Sequence, residues 1–301
     1  MSTKRKHPIL RYKWSYLFIL PGALALFVFA YVPMFGVMIA FQNFSVVTGF
    51  FGSPWVGFEN FRFFQDEFFW NTVSNTLRLT IYRMAFAFPM PIIFAILLNE
   101  VRSSIMRRSI QSLIYLPHFV SWIVVAYILN SALALDVGVV NSLLQRFGFE
   151  QIHFMGDPRY FRTLIVFSSI WKGTGWGTII YLAALSNIDP QLHDAAKIDG
   201  AGRFARIWHI DLTGILPIII IILILSMPGL LHAGYEQIYP LVNPANMSVS
   251  NVLDVYLIRI GLSGARYSMA AALGLALSVV NLGLVLGTNY LSRKLGQEGL
   301  W

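Results

Sequence analysis

Six long stretches without charged residues limit the structures that this chain can form. They run through 15–41, 84–99, 109–135, 173–188, 212–235 and 267–292. A helix needs about 20 mainly apolar residues to cross the hydrocarbon core of a bilayer. The two shorter stretches reach that length when they extend past Arg78 and Arg83, or past Lys172. The sequence therefore predicts six membrane-spanning helices, at 15–41, 72–99, 109–132, 162–186, 212–234 and 267–292.

The composition supports an all-α membrane protein. Of the 301 residues, 56% are hydrophobic and 12% are charged, whereas about a quarter of a soluble domain is charged. A water-soluble fold would have to bury six helices with almost no polar surface. The first apolar stretch is much longer than the 7–15 residues of a secretory signal, so we expect it to remain as the first span. The chain has no cysteine, which excludes disulfides and thiolate chemistry.

The positive charge has a pattern that predicts orientation. The net charge is +8, and 13 of the 22 Lys and Arg residues fall in the N-terminus, the tail and two loops on the same side of the predicted spans (1–14, 99–109, 187–213 and 293–301). Basic residues favour the cytoplasmic side of a membrane. We therefore expect a cytoplasmic basic N-terminus at 1–14, a single transmembrane domain at 15–292 with its core at about 72–292, and a cytoplasmic tail at 293–301.

The loop between the fourth and fifth predicted spans has helix signals of its own. Asp189-Pro190 is a typical start, since Asp can accept N–H groups of the first turn and Pro suits the first helical position. Gly200 is a typical stop, because glycine tolerates the left-handed conformation beyond a helix end. A second helix is predicted at 201–211 from the spacing of Phe204, Ile207, Trp208 and Asp211. Physical reasoning alone leaves two alternatives open, a hairpin packed on its own chain and a surface for another protein.

The pattern P-x-L-x-D-A-A-x-x-D-G-A followed by I-x-L-x-x-x-L-P, over 190–217, resembles the signature of ABC importer permeases. In that family the segment is a coupling helix that docks on a cytoplasmic ATPase. Asp194 stands where the family usually has Glu, and Thr213 stands where many members have Pro. The resemblance implies ATPase-coupling roles for Leu192, Asp194, Ala195, Ala196, Asp199, Gly200, Ala201 and Arg203.

Other motifs are similar to the carbohydrate-uptake branch of that family, and in particular to lipoprotein-type permeases for polysaccharide fragments and complex oligosaccharides. They are NEVRSS, YLPHFVSW, WKGTGWGTIIYLAALSNIDP and GYEQIYPLVNP. The resemblance implies the six-helix type I (MetI-like) fold with both termini cytoplasmic, in a bacterial cell membrane. The implied partners are a second related permease, two ATPase subunits that carry ATP and Mg, and an extracellular solute-binding lipoprotein.

The chain lacks the motifs of the main alternative functions. There is no G-x-x-x-x-G-K-[ST] phosphate loop, so no ATPase activity is expected in this chain. The H-E-x-x-H and G-x-S-x-G motifs of membrane hydrolases are also missing from the sequence. No two histidines are spaced i, i+4, which argues against a helical metal site. A permease for a non-sugar solute and, with less support, a secondary transporter remain as alternatives. No internal repeat of the kind common in secondary transporters is visible.

Several polar and aromatic residues are predicted inside or near the membrane. Charges at that depth usually face a partner group or a wet cavity, and sugars are bound by aromatic faces together with polar groups. On this basis the candidates for the substrate pathway are Arg83, Trp171, Lys172, Trp176, His232, Tyr235 and Glu236. The alternative for Arg83 and Lys172 is a structural role, in which they pair with backbone carbonyls or with the second permease.

Overall fold

The computed structural model describes residues 12–294, which confirm the all-α fold class. The α-helices, named α1 to α16 in chain order, are Lys13–Leu26, Val32–Met34, Gly49–Gly52, Glu67–Phe86, Pro89–Asn99, Ser104–Tyr115, Trp122–Ala132, Val139–Arg146, Pro158–Ser186, Pro190–Ile198, Arg203–Arg206, Leu212–Ser226, Tyr235–Ile238, Met247–Ser250, Leu253–Ile258 and Tyr267–Lys294. Segments of 3-10 helix lie at Phe35–Phe41, Glu59–Gln65, Leu116–Phe119, Met227–Leu231 and Tyr239–Leu241, and π-helical segments at Phe27–Tyr31, Ile207–Asp211 and Arg259–Ser263.

Within residues 12–294, four continuous helical segments are long and apolar enough to cross a membrane: Trp14–Phe41, Glu67–Asn99, Arg203–Leu231 and Tyr267–Lys294. A fifth span is added if the bent pair Ser104–Phe119 and Trp122–Ala132 is counted as one. The remaining predicted span corresponds to α9, which is 29 residues long but carries Arg159, Arg162 and Lys172. The predicted cytoplasmic termini, 1–14 and 293–301, lie almost entirely outside the described residues.

Two of the predicted helices take a different form in the structure. The third predicted span, 109–132, is bent by 96° between Phe119 and Trp122. Pro117 lies in the 3-10 segment before the bend, and Ser121 caps the next helix by accepting the Val124 N–H at 3.3 Å. The helix predicted at 201–211 is not separate from the fifth span. It continues from Arg203 through a π-helical turn into α12.

The chain divides into two compact units, one made of the segment up to Phe63 with Ile260–Ala276, and the other of Phe64–Arg259 with the segment from Leu277. In the first unit, Asn60 donates to the carbonyls of Ala40 at 3.0 Å and Gln42 at 2.9 Å, which fixes the chain where the first long helix ends. The Ser268 hydroxyl accepts the Phe44 N–H at 2.9 Å.

In the second unit, α9 is the central element and contacts α4, α5, α6 and α12. Its N-terminal half belongs to a buried cluster of Leu79, Ala126, Phe161, Ile165, Val166, Ala233, Ile238, Leu241, Val252 and Val255. Its other half, with Tyr181 and Leu185, packs on Ala95 and Ile215 in a second cluster. The candidate polar residues described below all belong to this unit.

Small residues let the backbone of α9 approach its neighbours closely. A methyl group at Gly175 would lie 1.9 Å from the carbonyl oxygen of Ile114 in α6. Two residues further along, a methyl group at Gly177 would lie 2.8 Å from a side-chain carbon of Pro91, and the Thr178 hydroxyl donates to the Pro91 carbonyl at 3.3 Å. Close contact through small residues is a common way for helices to associate within a membrane.

We expect Gly175→Ala to lower the stability of the protein by about 1–3 kcal/mol, the usual cost of overpacking, because the carbonyl of Ile114 cannot move away without its helix. Gly173→Ala is the matched control, since no heavy atom lies within 4 Å of the added carbon. That substitution should be neutral or stabilising, by up to about 1 kcal/mol. The thermal midpoint of the purified protein measures both effects, and a midpoint unchanged in Gly175→Ala would contradict the packing.

Candidate functional site

The loop predicted to couple to an ATPase contains a well-defined helix, α10. The Asp189 carboxylate accepts the Gln191 N–H at 2.9 Å, and Pro190 is the first helical residue, so the predicted helix start is confirmed. The helix packs little on its own chain: Leu192 is 53% exposed and Ile198 is 87% exposed. An apolar side chain that stays in water contributes no burial free energy to folding, so this helix presents a surface that the chain itself leaves uncovered.

The end of α10 has the left-handed glycine that the sequence predicts. Gly200 has a φ of 76°. The turn is closed by two backbone hydrogen bonds, from Gly200 to the Lys197 carbonyl at 3.1 Å and from Ala201 to the Ala196 carbonyl at 2.8 Å. Since no heavy atom lies within 4 Å of a side chain placed at Gly200, the backbone conformation alone requires glycine here.

The exposed surface continues onto the start of the next helix. Phe204 is 87% exposed and Trp208 is 66% exposed. Leu192 and Ile198 are exposed as well, so four large apolar side chains between 192 and 208 are left uncovered by the chain itself. We call these four residues the apolar cap. An exposed apolar group of this kind marks an interaction surface more often than a random feature.

One ion pair and one histidine–aspartate contact link the loop to the rest of the unit, and sequence reasoning missed both. Arg203, predicted to touch the ATPase, lies 2.6 Å from Glu100 at the end of α5. His193 Nε2 in α10 lies 3.4 Å from Oδ1 of Asp211, whose side chain is 2% exposed. A charged residue such as Asp211 next to an apolar stretch predicts that a partner exists. No sequence pattern identifies His193 as that partner, because it lies 18 residues away.

Asp194 is engaged within its own helix. Its carboxylate accepts from the Lys197 ammonium at 2.8 Å, and both side chains are exposed. This hydrogen bond lowers the pKa of the Asp194 carboxyl. An exposed pair of this kind contributes little to stability, so Asp194 and Lys197 are available for contacts with another protein.

Arg83 is bound by backbone and side-chain oxygens where the chain is irregular. Its guanidinium donates to the Ala233 carbonyl and to the Gln237 side chain. Gln237 in turn donates to the Ile165 carbonyl and the Ser168 hydroxyl, each at 2.8 Å. This buried network gives Arg83 the structural pairing that the sequence left as an alternative. Contact with sugar remains a prediction.

Lys172 also binds a carbonyl. Its ammonium donates to the oxygen of His118, next to the bend between α6 and α7, and lies 5.4 Å from the centre of the Trp122 ring. The ring of Trp176 stacks on His118 with centroids 4.4 Å apart and planes 6° from parallel. Trp171, Lys172 and Trp176 therefore belong to one area of α9, with both indole side chains half-exposed.

His232 is the centre of a second polar group. Its Nδ1 lies 3.0 Å from Asp254, its Nε2 lies 3.0 Å from the Asn281 amide, and Asp254 also accepts the Gly234 N–H at 2.9 Å. Half of the His232 side chain is exposed. Sequence reasoning missed Asp254 and Asn281, which lie 22 and 49 residues away from it.

The structure brings some of the predicted pathway residues together and separates others. Arg83 and His232 line one cavity of about 190 Å³. The area around Lys172 is not part of that cavity. Tyr235 packs on Tyr239 with ring centroids 4.9 Å apart, and Glu236 is exposed. Within residues 12–294, no three His, Asp or Glu side chains are grouped in a way that could hold a metal ion.

Comparisons with known proteins identify the family. The model of the binding-protein-dependent transport system inner membrane component matches residues 87–297. Protein LplB of Bacillus subtilis (strain 168) is 47% identical, with 97% of this chain and 92% of the relative covered. The polygalacturonan/rhamnogalacturonan transport system permease protein YteP of the same organism is 42% identical over the same shares of the two chains.

A solved structure shows the same fold. A chain of the bacterial alginate ABC transporter, in complex with an alginate pentasaccharide-bound periplasmic protein, is 36% identical with a TM-score of 0.90 over 97% of this chain and 98% of that chain. The present chain belongs to the family of binding-protein-dependent transport system inner membrane components. It is an ABC transporter permease with the all-helical MetI-like fold, which makes the secondary-transporter alternative wrong.

We expect Gly200→Val to loosen the end of α10, because a β-branched residue is strained at a φ of 76°. Gly202→Val is the matched control: Gly202 has a φ of −67°, and no heavy atom lies within 4 Å of an added side chain there. Amide hydrogen exchange across α10 should be at least several-fold faster in Gly200→Val and unchanged in Gly202→Val. Equal exchange in the two variants would contradict a structural need for glycine at 200.

Proposed function

We propose that this chain is the transmembrane permease subunit of an ATP-driven ABC importer for oligosaccharides or polysaccharide fragments. Family membership supports the class of machine. The substrate class is supported by two relatives, one named for transport of polygalacturonan and rhamnogalacturonan and one for import of the acidic polysaccharide alginate. The chain covers more than nine-tenths of each of these relatives, so the similarity extends over almost the full length of both.

The observation that carries the proposal is the exposed helix α10, which supplies two of the four residues of the apolar cap. A nine-residue helix is marginal in water by itself, and a docking surface would stabilise it. The proposed partner is a cytoplasmic ATPase subunit, which supplies ATP and Mg. The proposed contact residues are Leu192, Asp194, Ala195, Ala196, Asp199, Gly200 and Ala201, whereas Arg203 is occupied by Glu100.

The Arg203–Glu100 ion pair and the His193–Asp211 contact offer a route by which a push on α10 would reach the membrane. His193 joins α10 to the helix Arg203–Leu231 through Asp211, and Arg203 joins the start of that helix to the end of α5. Closure of the ATPase pair would thus move two long helices together with α10. Such coupled movement would alternate access to a central pathway between the two membrane faces. Hydrolysis would then reset the starting state.

The proposed assembly follows from the family and from the substrate. A second related permease would form a heterodimer with this chain, two ATPases would bind from the cytoplasm, and a solute-binding lipoprotein would deliver the saccharide from outside. The alginate transporter, solved with a saccharide-bound periplasmic protein, supports that last role. His232 with Asn281, the half-exposed Trp171 and Trp176, and the nearby Tyr235 and Glu236 are the proposed saccharide contacts.

We further propose six spans with both termini in the cytoplasm. The bent pair α6–α7 would be the third span and α9 the fourth. At 1.5 Å per residue, the 29 residues of α9 give roughly 43 Å, enough to cross the bilayer with its charged first turn at one surface. The basic residues then follow the positive-inside rule.

If the ATPase docks on α10, a bulky side chain on the surface of this helix should disrupt the contact. Ala196→Trp should overfill the contact and release the ATPase from the purified permease pair, whereas Ala245→Trp, at an exposed alanine far along the chain, should retain it. Asp194→Lys should weaken retention less, because an exposed charge pair contributes little. The ATPase recovered for each permease is the measurement. Full stoichiometry and uptake in Ala196→Trp would show that the ATPase does not dock there.

Single introduced cysteines test the orientation, because the natural chain contains no cysteine that would react with the reagent. Cysteines at the exposed Ser103 and Gln191 should be protected from an impermeant thiol reagent in intact cells. Cysteines at Val47 and Val137, which are 95% and 83% exposed, should react. Permeabilised cells, in which all four should react, provide the control. The reverse labelling pattern would overturn the proposed orientation.

A further inference from the structure

A groove of about 470 Å³ opens between α4 and α9 and has no part in the function proposed above. Its walls include Tyr82 and Phe86 from α4, and Arg159, Arg162, Phe167 and Ile170 from α9. All of these residues belong to the same compact unit. Aromatic and aliphatic side chains make up most of the surface, and the two arginines are grouped at one end.

The polarity of the groove changes along the helix axis. Arg159 and Arg162 lie in the first two turns of α9, and Phe167 and Ile170 lie five and eight residues beyond Arg162. At 1.5 Å per residue, the apolar wall begins roughly 8 Å deeper than the Arg162 backbone and extends to roughly 12 Å. Positive charge therefore sits at the end of a long helix, and hydrocarbon lines the part that runs towards its middle.

The two arginines differ in how far their charge is already neutralised. Arg159 pairs with Asp157 at 2.5 Å and has an exposed side chain. Arg162 forms no ion pair within residues 12–294. Its Nη2 donates to Asn75 at 3.1 Å, while its buried Nε has no hydrogen-bond partner. Arg78, one turn before Tyr82 on α4, adds a second positive charge on this side. The mouth of the groove is therefore suited to an anion.

The inner wall distinguishes between the kinds of anion. Phe86 is 58% exposed and Phe167 is 62% exposed, and with Ile170 they offer no hydrogen-bonding group to a sugar hydroxyl. A saccharide pathway needs polar partners along its length, whereas an acyl chain needs only apolar contact. Guanidinium groups bind phosphate through strong charge-assisted hydrogen bonds, and basic pockets between membrane helices are suited to anionic lipid headgroups.

We propose that this groove is a binding site for an anionic phospholipid. The phosphodiester lies at the Arg162 guanidinium, and one acyl chain follows Phe86, Phe167 and Ile170 towards the middle of the bilayer. The site ties a lipid to the contact between α4 and α9, the central helix of its unit. It is independent of which saccharide the protein transports.

The test uses the full-length chain, purified with its accompanying subunits and reconstituted in nanodiscs of phosphatidylcholine with a minor share of phosphatidylglycerol. Native mass spectrometry then measures the phosphatidylglycerol retained on the protein. Arg162→Gln should reduce retention roughly tenfold, the effect of losing one strong charge-assisted contact. Arg162→Lys should keep most of it. The matched control is Arg146→Gln, which removes the same charge at an exposed position outside the groove.

Arg162 also donates a hydrogen bond to Asn75, so its replacement removes a structural contact as well as a lipid contact. A second variant separates the two effects. Phe167→Ser changes no charge and no hydrogen bond of Arg162, and it should also reduce retention while the thermal midpoint without phosphatidylglycerol stays the same. Retention in Arg162→Gln equal to that of the natural protein would overturn the proposal. Displacement of the lipid by a galacturonate pentamer would overturn it as well, since the groove would then be a saccharide site. Loss of uptake without loss of lipid would bear on the proposed function alone.

Discussion

The close contact between α9 and the backbone of α6 is the constraint on which the rest of the second unit depends. At Gly175 no side chain separates the two helices, and the Ile114 carbonyl occupies the space that a Cβ atom would need. This contact lies one turn from Lys172, which binds the His118 carbonyl next to the 96° bend. The position of α9 thus determines where the helix can be interrupted, because Lys172 supplies a hydrogen bond to the His118 carbonyl at the bend.

Lys172 and Arg83 have the same structural role. Within a bilayer, irregular backbone is tolerated only where its polar groups find partners. Lys172 supplies a donor at the bend after α6, and Arg83 supplies donors to Ala233 and Gln237, where the chain breaks before α13. Gly234, with a φ of 84°, forms the sharp turn at that break. Both charges therefore stabilise interruptions in spans, and the proposed saccharide contacts are the partly exposed groups, such as His232.

Two polar side-chain contacts join the loop that contains α10 to the long helices. The apolar cap is left exposed, while Glu100, His193, Arg203 and Asp211 connect the loop to two long helices. In the proposed assembly the apolar cap would contact the ATPase. The Arg203–Glu100 ion pair and the His193–Asp211 contact would keep α10 attached to the long helices.

The sequence by itself determined the features that depend on neighbouring residues. Apolar length predicted the helices, Asp189-Pro190 and Gly200 predicted the two ends of α10, and the motif at 190–217 predicted the family. Only the tertiary structure decided the bend after Phe119, the continuity of the helix from Arg203, and the partners of Arg83, Lys172, His193 and His232. The physical reason is that a cap or a turn is fixed by atoms a few residues apart, whereas these charges are bound by groups from 18 to about 150 residues away, which come together only when the helices pack.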